Sequence, residues 1–281
     1  MRIDLHTHSW VSDGTEPPAQ VVAAAAEAGL DVLALTDHDS TAGWEEARAA
    51  AQQHGVQLVP GMEISCSTAG GVSVNLLAYL ADPASPGLLA EIERSRESRE
   101  TRARRIVEKL SSDVDISWDD VQAQISDGAT IGRPHIADAL VERGIVADRP
   151  AAFAGLLSAR GPYYARHYSP DPVEAVALVT EAGGVAVMAH PLARKRGRVV
   201  DDEVIEQLAD AGLAGLEADH RDNDDADRAH LRALAARLGL FVTGSSDYHG
   251  SGKPNLLGEN TTAPEVLDEI LARGTGAAVT A

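Results

Sequence analysis

The chain has 281 residues, one cysteine and a formal net charge of −19, and aromatic residues make up only 4% of it. This length allows one large α/β domain, or a barrel with an insertion, around a mainly aliphatic core. The acidic balance argues against a protein that coats nucleic acid, although a few local Lys or Arg residues can make one pocket positive. With Cys66 alone, an internal disulfide and a cysteine-based zinc knuckle are excluded.

Neither export nor membrane insertion is expected from the sequence. The N-terminus runs directly into a predicted strand that ends in candidate metal ligands, which leaves no room for a signal peptide. Apolar runs are also too short to span a bilayer. We therefore expect a cytoplasmic protein with no membrane partner and no extended nucleic-acid surface.

Strand and helix patterns alternate from the N-terminus. A strand ending in His6-Thr7-His8 precedes a helix from about 17 to 28, and a strand ending in Asp37-His38 precedes a helix near 42 to 54. Two further strands end near Glu63 and Leu80. This alternation predicts a parallel sheet, most economically a barrel.

The alternation stops after Asp82 and resumes near Pro172. Between them, residues 88–109 predict a long, arginine-rich helix, and short helical segments continue to about residue 166. We predict that residues 86–168 form a helical insertion over the mouth of a barrel, which residues 1–85 and 169–281 build.

Six short apolar runs end in histidine or carboxylate residues at the carboxyl end of a predicted strand, where the loops of barrel enzymes converge. In His6-x-His8 the two imidazoles lie on one side of the strand, because side chains alternate. A buried core histidine could explain any one run, but six equivalent positions predict a metal site. Imidazole with carboxylate is a donor set for Mn, Fe or Zn, and there are enough donors for two or three such ions. The candidate ligands are His6, His8, Asp13, His38, Glu63, His190, Asp247 and His249.

Several of these segments together resemble the PHP family (polymerase and histidinol phosphatase domain), and the resemblance covers essentially the whole chain. It implies an α/β fold, a distorted seven-stranded, TIM-like (β/α)7 barrel, with a trinuclear Mn, Fe or Zn centre. The segments are Asp4-Leu5-His6-Thr7-His8-Ser9, Ser12-Asp13-Gly14, Leu35-Thr36-Asp37-His38-Asp39, Glu63-Ile64-Ser65, Ala189-His190-Pro191 and Ser246-Asp247-Tyr248-His249-Gly250.

The resemblance also implies how the ligands are shared among three ions. The first ion would take His6, His8, Glu63 and Asp247, and the third would take Asp13, His38 and His249. Glu63 and His190 would hold the second. Where the family usually has a histidine for this second ion, the chain has Asn75, whose amide oxygen is the weaker donor.

The predicted insertion contains Gly132-Arg133-Pro134-His135. This segment resembles the signature of the PHP branch that dephosphorylates nucleoside 3′,5′-bisphosphates and trims short RNA from the 5′ end. By that resemblance Arg133 and His135 would bind phosphate. The alternative is an Arg-Pro helix start with a packing histidine.

Basic residues near two of the predicted strand ends offer further phosphate contacts. Arg194 lies in a basic run directly after His190-Pro191, and Lys253 and Asn255 follow His249 in a glycine-rich loop. Such runs are usually only solvated loops. These follow candidate metal ligands in an acidic chain, so we include all three residues as candidate substrate contacts.

Taken together, the sequence predicts a metal-dependent phosphoesterase that hydrolyses a phosphate monoester through a metal-activated hydroxide. His190 or His135 would protonate the leaving group, while Arg133 would stabilise charge on the phosphoryl oxygens. The expected substrate is a phosphorylated nucleotide: a nucleoside 3′,5′-bisphosphate, AMP or the 5′ end of short RNA. The alternatives are a histidinol-phosphate phosphatase and a non-catalytic module that binds metal or nucleotide.

Overall fold

The computed structural model describes residues 1–280, which form a seven-stranded sheet surrounded by helices. The sheet order follows the chain, and the backbone N–H of His8 donates to the carbonyl of Tyr248 at 2.8 Å, next to the last strand. The sheet therefore curls into a nearly closed barrel. Its strands are β1 (Ile3–Thr7), β2 (Val32–Leu35), β3 (Gln57–Ser67), β4 (Ser73–Tyr79), β5 (Val185–Met188), β6 (Gly215–Asp219) and β7 (Phe241–Gly244).

Helices cover the outside of the barrel and are packed against it by aliphatic side chains. One cluster, including Val21, Leu33 and Ala47, joins the first two helices to the sheet, and the barrel interior is filled by residues such as Leu5 and Leu77. The helices are α1 (Pro18–Glu27), α2 (Trp44–His54), α3 (Pro86–Leu110), α4 (Trp118–Gln122), α5 (Arg133–Glu142), α6 (Arg149–Ala154), α7 (Pro172–Glu181), α8 (Asp202–Asp210), α9 (Asp225–Leu238) and α10 (Pro264–Arg273). Across residues 1–280, no helix combines the length and apolar character that a membrane crossing requires.

The predicted all-parallel sheet is wrong at β4, which runs antiparallel to both β3 and β5. Only residues 68–72 separate β3 from β4, with Gly71 in the left-handed region at a φ of 70°. So short a connection closes a hairpin, because a parallel crossover needs a dozen or more residues. As a result β3 does not end at Glu63 but continues to Ser67.

Four helices, α3 to α6, lie between β4 and α7 and share a hydrophobic cluster of their own, including Ile106, Leu110 and Leu140. They contact the barrel through Leu88 of α3, which packs into the barrel core, and through polar groups. Arg99 donates to Asp39 at 2.7 Å, and Arg149 donates to the carbonyl of Asp13 at 2.9 Å. This separate cluster supports the predicted insertion, whose boundaries at 86 and 168 stay a prediction.

Candidate metal centre

Two of the candidate ligands have a strained backbone. His190 and Asp247 adopt positive φ angles of 31° and 55°. Non-glycine residues in this region cost roughly 1–3 kcal/mol each and tend to cluster at functional sites. At Asp247 the conformation is held by Asn255, whose side-chain amide donates to the carbonyls of Ser246 and Asp247 at 2.7 and 3.1 Å.

Four side chains converge at the mouth of the barrel in a buried first cluster: His6, His8, Glu63 and Asp247. Nε2 of His6 lies 3.1 Å from Nε2 of His8, and these two atoms lie 3.2 and 3.0 Å from Oε2 of Glu63. Oδ1 of Asp247 is 3.4 and 3.5 Å from the same two nitrogens. Ligand atoms held tetrahedrally about 2.0–2.2 Å from an ion lie about 3.3–3.6 Å apart, so this spacing suits one cation.

Glu217, which the sequence analysis did not select, lies behind two of the candidate ligands. Its Oε1 accepts from Nδ1 of His6 at 2.9 Å, and its Oε2 accepts from the backbone N–H of His190 at 2.8 Å. Burial opposes ionisation, but His6 nevertheless lowers the pKa of Glu217 to about 2. With both oxygens occupied, Glu217 orients His6 so that its Nε2 faces the first cluster, as carboxylates behind metal-bound histidines commonly do.

A second cluster adjoins the first and consists of Asp13, His38 and His249, together with His8, which belongs to both clusters. Nε2 of His249 lies 3.1 Å and Nε2 of His38 lies 4.0 Å from Oδ1 of Asp13. His249 donates through Nδ1 to the carbonyl of Asp247 at 2.8 Å, which leaves the Nε2 lone pair facing the cluster. Burial and Lys253 lower the pKa of His249 to about 3, so this ring is a neutral donor.

The electrostatics of the first cluster favour a cation. Burial alone would lower the pKa of His8, but hydrogen bonds to Asp247 and Glu63 raise it to about 9. Burial would likewise raise the pKa of Asp247, yet Lys253, Arg196 and the histidines hold it well below its ordinary value. A divalent ion that binds here takes the place of the proton on His8, so binding should release protons at neutral pH.

Several of these ligand atoms have no hydrogen-bond partner in the described part of the protein, which also fits metal binding. Among residues 1–280, Oε1 of Glu63, Oδ1 of Asp247 and Nε2 of His249 are buried and make no hydrogen bond. Buried polar atoms are normally satisfied, so three unpaired ligand atoms spread over these adjoining clusters call for bound ligands. The residues present therefore fit a divalent metal centre with the imidazole and carboxylate donors that Mn, Fe and Zn accept.

The remaining oxygen of Glu63 points to a further position. Its Oε1 lies 3.3 Å from Nε2 of His190. Asn75 is on the same face of the hairpin two residues beyond, because its register partner is Ser65, and it lines the same cavity as His190. The structure thus brings Glu63 and His190 together and puts Asn75 on the same face of the hairpin as Glu63, and their binding of a second ion stays a prediction.

Asn75→His should strengthen that position. Imidazole is the better donor for these cations, so the variant should retain more metal after dialysis than the parent protein, with the gain confined to the most weakly held ion. Metal content by mass spectrometry measures it, and Gln53→His, at an exposed position of α2, is the control. Unchanged content and affinity would remove Asn75 from the metal position.

The clusters open into a cavity of about 1180 Å³ that barrel and insertion residues line together. Arg133 is part of its wall, and its contact with a substrate stays a prediction. His135 is not part of the wall. Its Nδ1 accepts from the backbone N–H of Gly132 at 3.0 Å, its ring is buried, and it caps the start of α5. This geometry fits the alternative of a helix start with a packing histidine, and a phosphate contact of His135 stays a prediction.

The structure separates two members of the basic run after His190. Arg194 turns outward and pairs with Asp227, whereas Arg196 donates to Oδ2 of Asp247 at 2.6 Å and lies 3.1 Å from Nε2 of His190. A 3-10 turn over Arg194–Arg196 aims the two side chains apart. Arg196 was missed because the sequence does not show which member of the run faces inward.

The last two predicted contacts line the cavity, but both have partners in the protein. Lys253 pairs with Oδ2 of Asp247 at 3.1 Å. Asn255 uses its amide nitrogen on the backbone and its oxygen to accept from Arg221 at 2.9 Å. Asn255 is therefore placed to hold the ligand loop, and Lys253 is the better placed of the two for a substrate oxygen.

Sequence comparisons identify relatives over most of the chain. The family model described as PHP domain matches residues 4–113. A 3′,5′-nucleoside bisphosphate phosphatase of Chromobacterium violaceum is 35% identical over 89% of this chain and 88% of its own length. A phosphoribosyl 1,2-cyclic phosphate 1,2-diphosphodiesterase of Eggerthella lenta is 33% identical (88% and 94%), and a 5′-3′ exoribonuclease of Haemophilus influenzae is 32% identical (88% and 90%).

A solved structure agrees with these relatives. A protein of Bifidobacterium adolescentis, to which metal-dependent phosphoesterase activity is attributed, is 45% identical and superposes with a TM-score of 0.95. The alignment covers 97% of this chain and 96% of that one. With the clusters above, these matches show that the chain belongs to the PHP domain family and is a metal-dependent phosphoesterase.

Proposed function

We propose that the enzyme hydrolyses a phosphate monoester of a nucleotide, either a nucleoside 3′,5′-bisphosphate or the 5′ end of a short oligoribonucleotide. The observation that supports this proposal is that both ligand clusters open into one cavity, which is lined by basic residues. Its volume, about 1180 Å³, exceeds what a single phosphate requires and matches a nucleotide. Its basic residues include Arg99, Arg102, Arg133, Arg149, Arg196, Arg198, Arg221, Lys195 and Lys253.

In this proposal two or three Mn, Fe or Zn ions are held by the first cluster, by the second cluster, and by Glu63 with His190 and Asn75. Bound ions of this kind polarise the phosphoryl group and lower the pKa of water. Arg196 and Lys253, both within 3.1 Å of Asp247, reach the same place and stabilise phosphoryl oxygens.

His190 serves this reaction better as a metal ligand than as an acid. Burial and Arg196 lower its pKa to about 4, so the ring carries no spare proton at neutral pH. Its Nε2 faces Oε1 of Glu63, the orphaned carboxylate oxygen. We therefore assign His190 to metal binding, and the leaving group takes its proton from water or from a cationic side chain such as Lys253.

The alternative substrates are histidinol phosphate and a cyclic phosphodiester like that of the Eggerthella lenta relative. Arg133, in the wall of the cavity, favours a substrate with a second phosphate over both of these. A non-catalytic module, the remaining alternative, is not supported, because the aligned relatives are enzymes along almost their full length. A cytoplasmic location stays a prediction.

Phosphate release from a substrate panel tests the proposal. The enzyme reconstituted with Mn, Fe or Zn is offered adenosine 3′,5′-bisphosphate, both adenosine monophosphates, a 5′-phosphorylated dinucleotide, histidinol phosphate and a 1,2-cyclic ribose phosphate. We expect the highest kcat/KM on the bisphosphate or the dinucleotide. Preference for histidinol phosphate or the cyclic ester would overturn the nucleotide assignment.

Arg133→Ala should raise the KM for the bisphosphate much more than that for a simple aryl phosphate. The metal centre holds the phosphoryl group that is cleaved. A guanidinium that the insertion contributes to the cavity therefore contacts the rest of the substrate. Losing one charge-assisted bidentate contact costs roughly 1.5–3 kcal/mol, or about ten- to a hundredfold in binding. Equal losses on both substrates would instead place Arg133 at the reacting phosphate, and Arg133→Lys should recover only part of the loss.

A further inference from the structure

Arg149, the first residue of α6 in the insertion, contacts a barrel loop that carries a ligand of the second cluster. Its NH1 group donates to the backbone carbonyl of Asp13 at 2.9 Å. Within residues 1–280, this carbonyl accepts no other hydrogen bond. The side chain of Asp13 faces the cluster, with Oδ1 3.1 Å from Nε2 of His249. The insertion therefore holds the backbone of a candidate ligand from outside the barrel.

The guanidinium of Arg149 is itself held in place by Asp138 on α5. Nε and NH2 of Arg149 each donate to one carboxylate oxygen of Asp138 at 2.6 Å. Such a bidentate pair fixes the orientation of the planar guanidinium. The pair is also largely shielded from water, because only 14% of the Arg149 side chain and 27% of the Asp138 side chain are exposed. Two helices of the insertion thus direct NH1 of Arg149 at Asp13.

The same guanidinium packs against the loop that carries His249. Gly252 leaves the space for it, since a side chain at this position would collide with NH1 of Arg149. The two ligand loops also meet here, where the backbone N–H groups of Thr15 and Gly252 both donate to the carbonyl of His249 at 3.2 Å. Arg149 therefore lies across the junction of the loops that supply Asp13 and His249.

The first cluster is supported mainly by the barrel itself. His6 and Glu63 lie within β1 and β3, and Glu217 on β6 orients His6. Asp13 and His249, in contrast, lie in loops between a strand and a helix. Loops open at a lower free energy than core strands, so ligand atoms on them depend on the contacts that hold the loops. The affinity of the second cluster for an ion should therefore respond to the insertion more than that of the first cluster.

We propose that Arg149 is a positioning residue for the ion of the second cluster, and that the insertion thereby sets the affinity of this one ion. The inference rests on the binding of an ion by Asp13, His38 and His249, which belongs to the proposed function, and deepens it. Ligand loops that are fixed before the ion arrives lose less conformational entropy when it binds, which raises the affinity. The insertion then has a role in metal binding that is separate from any contact with the substrate.

The test measures metal binding without substrate in the parent protein, Arg149→Gln and Asp13→Ala. Competition with a chelating indicator gives the affinities, and mass spectrometry gives the number of ions. Asp13→Ala removes a ligand and so identifies the ion of the second cluster. We expect Arg149→Gln to weaken binding of this same ion about ten- to a hundredfold and to leave the other ions at the parental affinity.

Arg143→Gln is the matched control. It also breaks an arginine–aspartate pair of the insertion, since the exposed Arg143 at the end of α5 pairs with Asp115, and it should bind every ion like the parent. Arg149→Lys guards against a folding defect, because it keeps the charge without the planar fork and should recover part of the affinity. Asp138→Asn, which removes the charge that orients the guanidinium, should weaken the same ion as Arg149→Gln.

Parental affinity for every ion in Arg149→Gln would overturn the proposal. So would an equal weakening of all ions together with lower thermal stability, which would make Arg149 a structural support of the insertion. If Asp13→Ala keeps the parental number and affinity of ions, the second cluster holds no ion, and this part of the proposed function fails together with the inference. An ion that depends on Asp13 but not on Arg149 contradicts the inference alone.

Discussion

His8→Ala and Asp247→Asn should each reduce turnover by at least about a thousandfold while the fold stays intact. Each variant removes one donor of the first cluster, where four donor atoms lie 3.0–3.5 Å apart. Metal ions contribute several kcal/mol of transition-state stabilisation in such sites, and each 1.36 kcal/mol is a factor of ten in rate. Metal content should fall in parallel with kcat, and circular dichroism should match the parent protein.

His54→Ala is the matched control, because His54 is an exposed histidine at the end of α2. It should keep both the metal content and the activity of the parent. A metal-depleted His8→Ala protein that still hydrolyses phosphate at the normal rate would contradict metal-dependent hydrolysis at this site. Loss of metal with retained activity in Asp247→Asn would have the same consequence.

Much of the centre could be predicted because its ligands are encoded locally. His6-x-His8 at the end of a strand places both rings on one side of it, and Asp247 and His249 follow soon after the last strand. Barrel topology then brings such strand ends together without further information from the sequence. The direction of β4 also had a local signal, the glycines of residues 70–71 between two strands, which indicates a hairpin rather than a crossover.

Other parts of the site depend on contacts between distant segments. Arg194 and Arg196 are equivalent as sequence, and their acidic partners on distant segments decide which of them turns inward. Arg194 pairs with Asp227, and Arg196 pairs with Asp222 and Asp247. His135 follows a glycine and a proline that start a helix, and its ring folds back onto the backbone of Gly132. In the sequence, Arg102 looks like the other charged residues of a long helix, and only the packed structure shows that it is buried.

Glu217 is the residue whose loss should affect the centre most after the ligands themselves. It lies within an apolar run of β6, and its fully buried carboxylate is shared between His6 and the backbone of His190. Removing a group that orients one metal-bound histidine typically weakens metal affinity about 10- to 100-fold. Because Glu217 holds two ligand segments, Glu217→Ala should weaken binding by at least about a hundredfold.

Competition with a chelating indicator measures this affinity, and Asp219→Asn is the control. Asp219 lies two residues further along β6, and its carboxylate pairs with Arg228 and Arg232 rather than with the ligands. The control should bind metal like the parent, while Glu217→Asp, with a shorter side chain, should recover only part of the loss. Thermal stability should also fall in Glu217→Ala, since unpaired buried N–H groups cost about 1–3 kcal/mol each.

The number of ions bound by Glu217→Ala distinguishes a role of Glu217 in orienting His6 from direct ligation of a metal ion. Glu217, His6 and His190 have donor atoms close enough together to share an ion themselves. Both oxygens of Glu217 accept hydrogen bonds, however, and Nδ1 of His6 is committed to the first of them. We therefore expect Glu217→Ala to bind the parental number of ions more weakly at saturating concentration. A loss of one whole ion equivalent at saturation would make Glu217 a ligand, and unchanged affinity with lowered stability would reduce it to a structural group of the core.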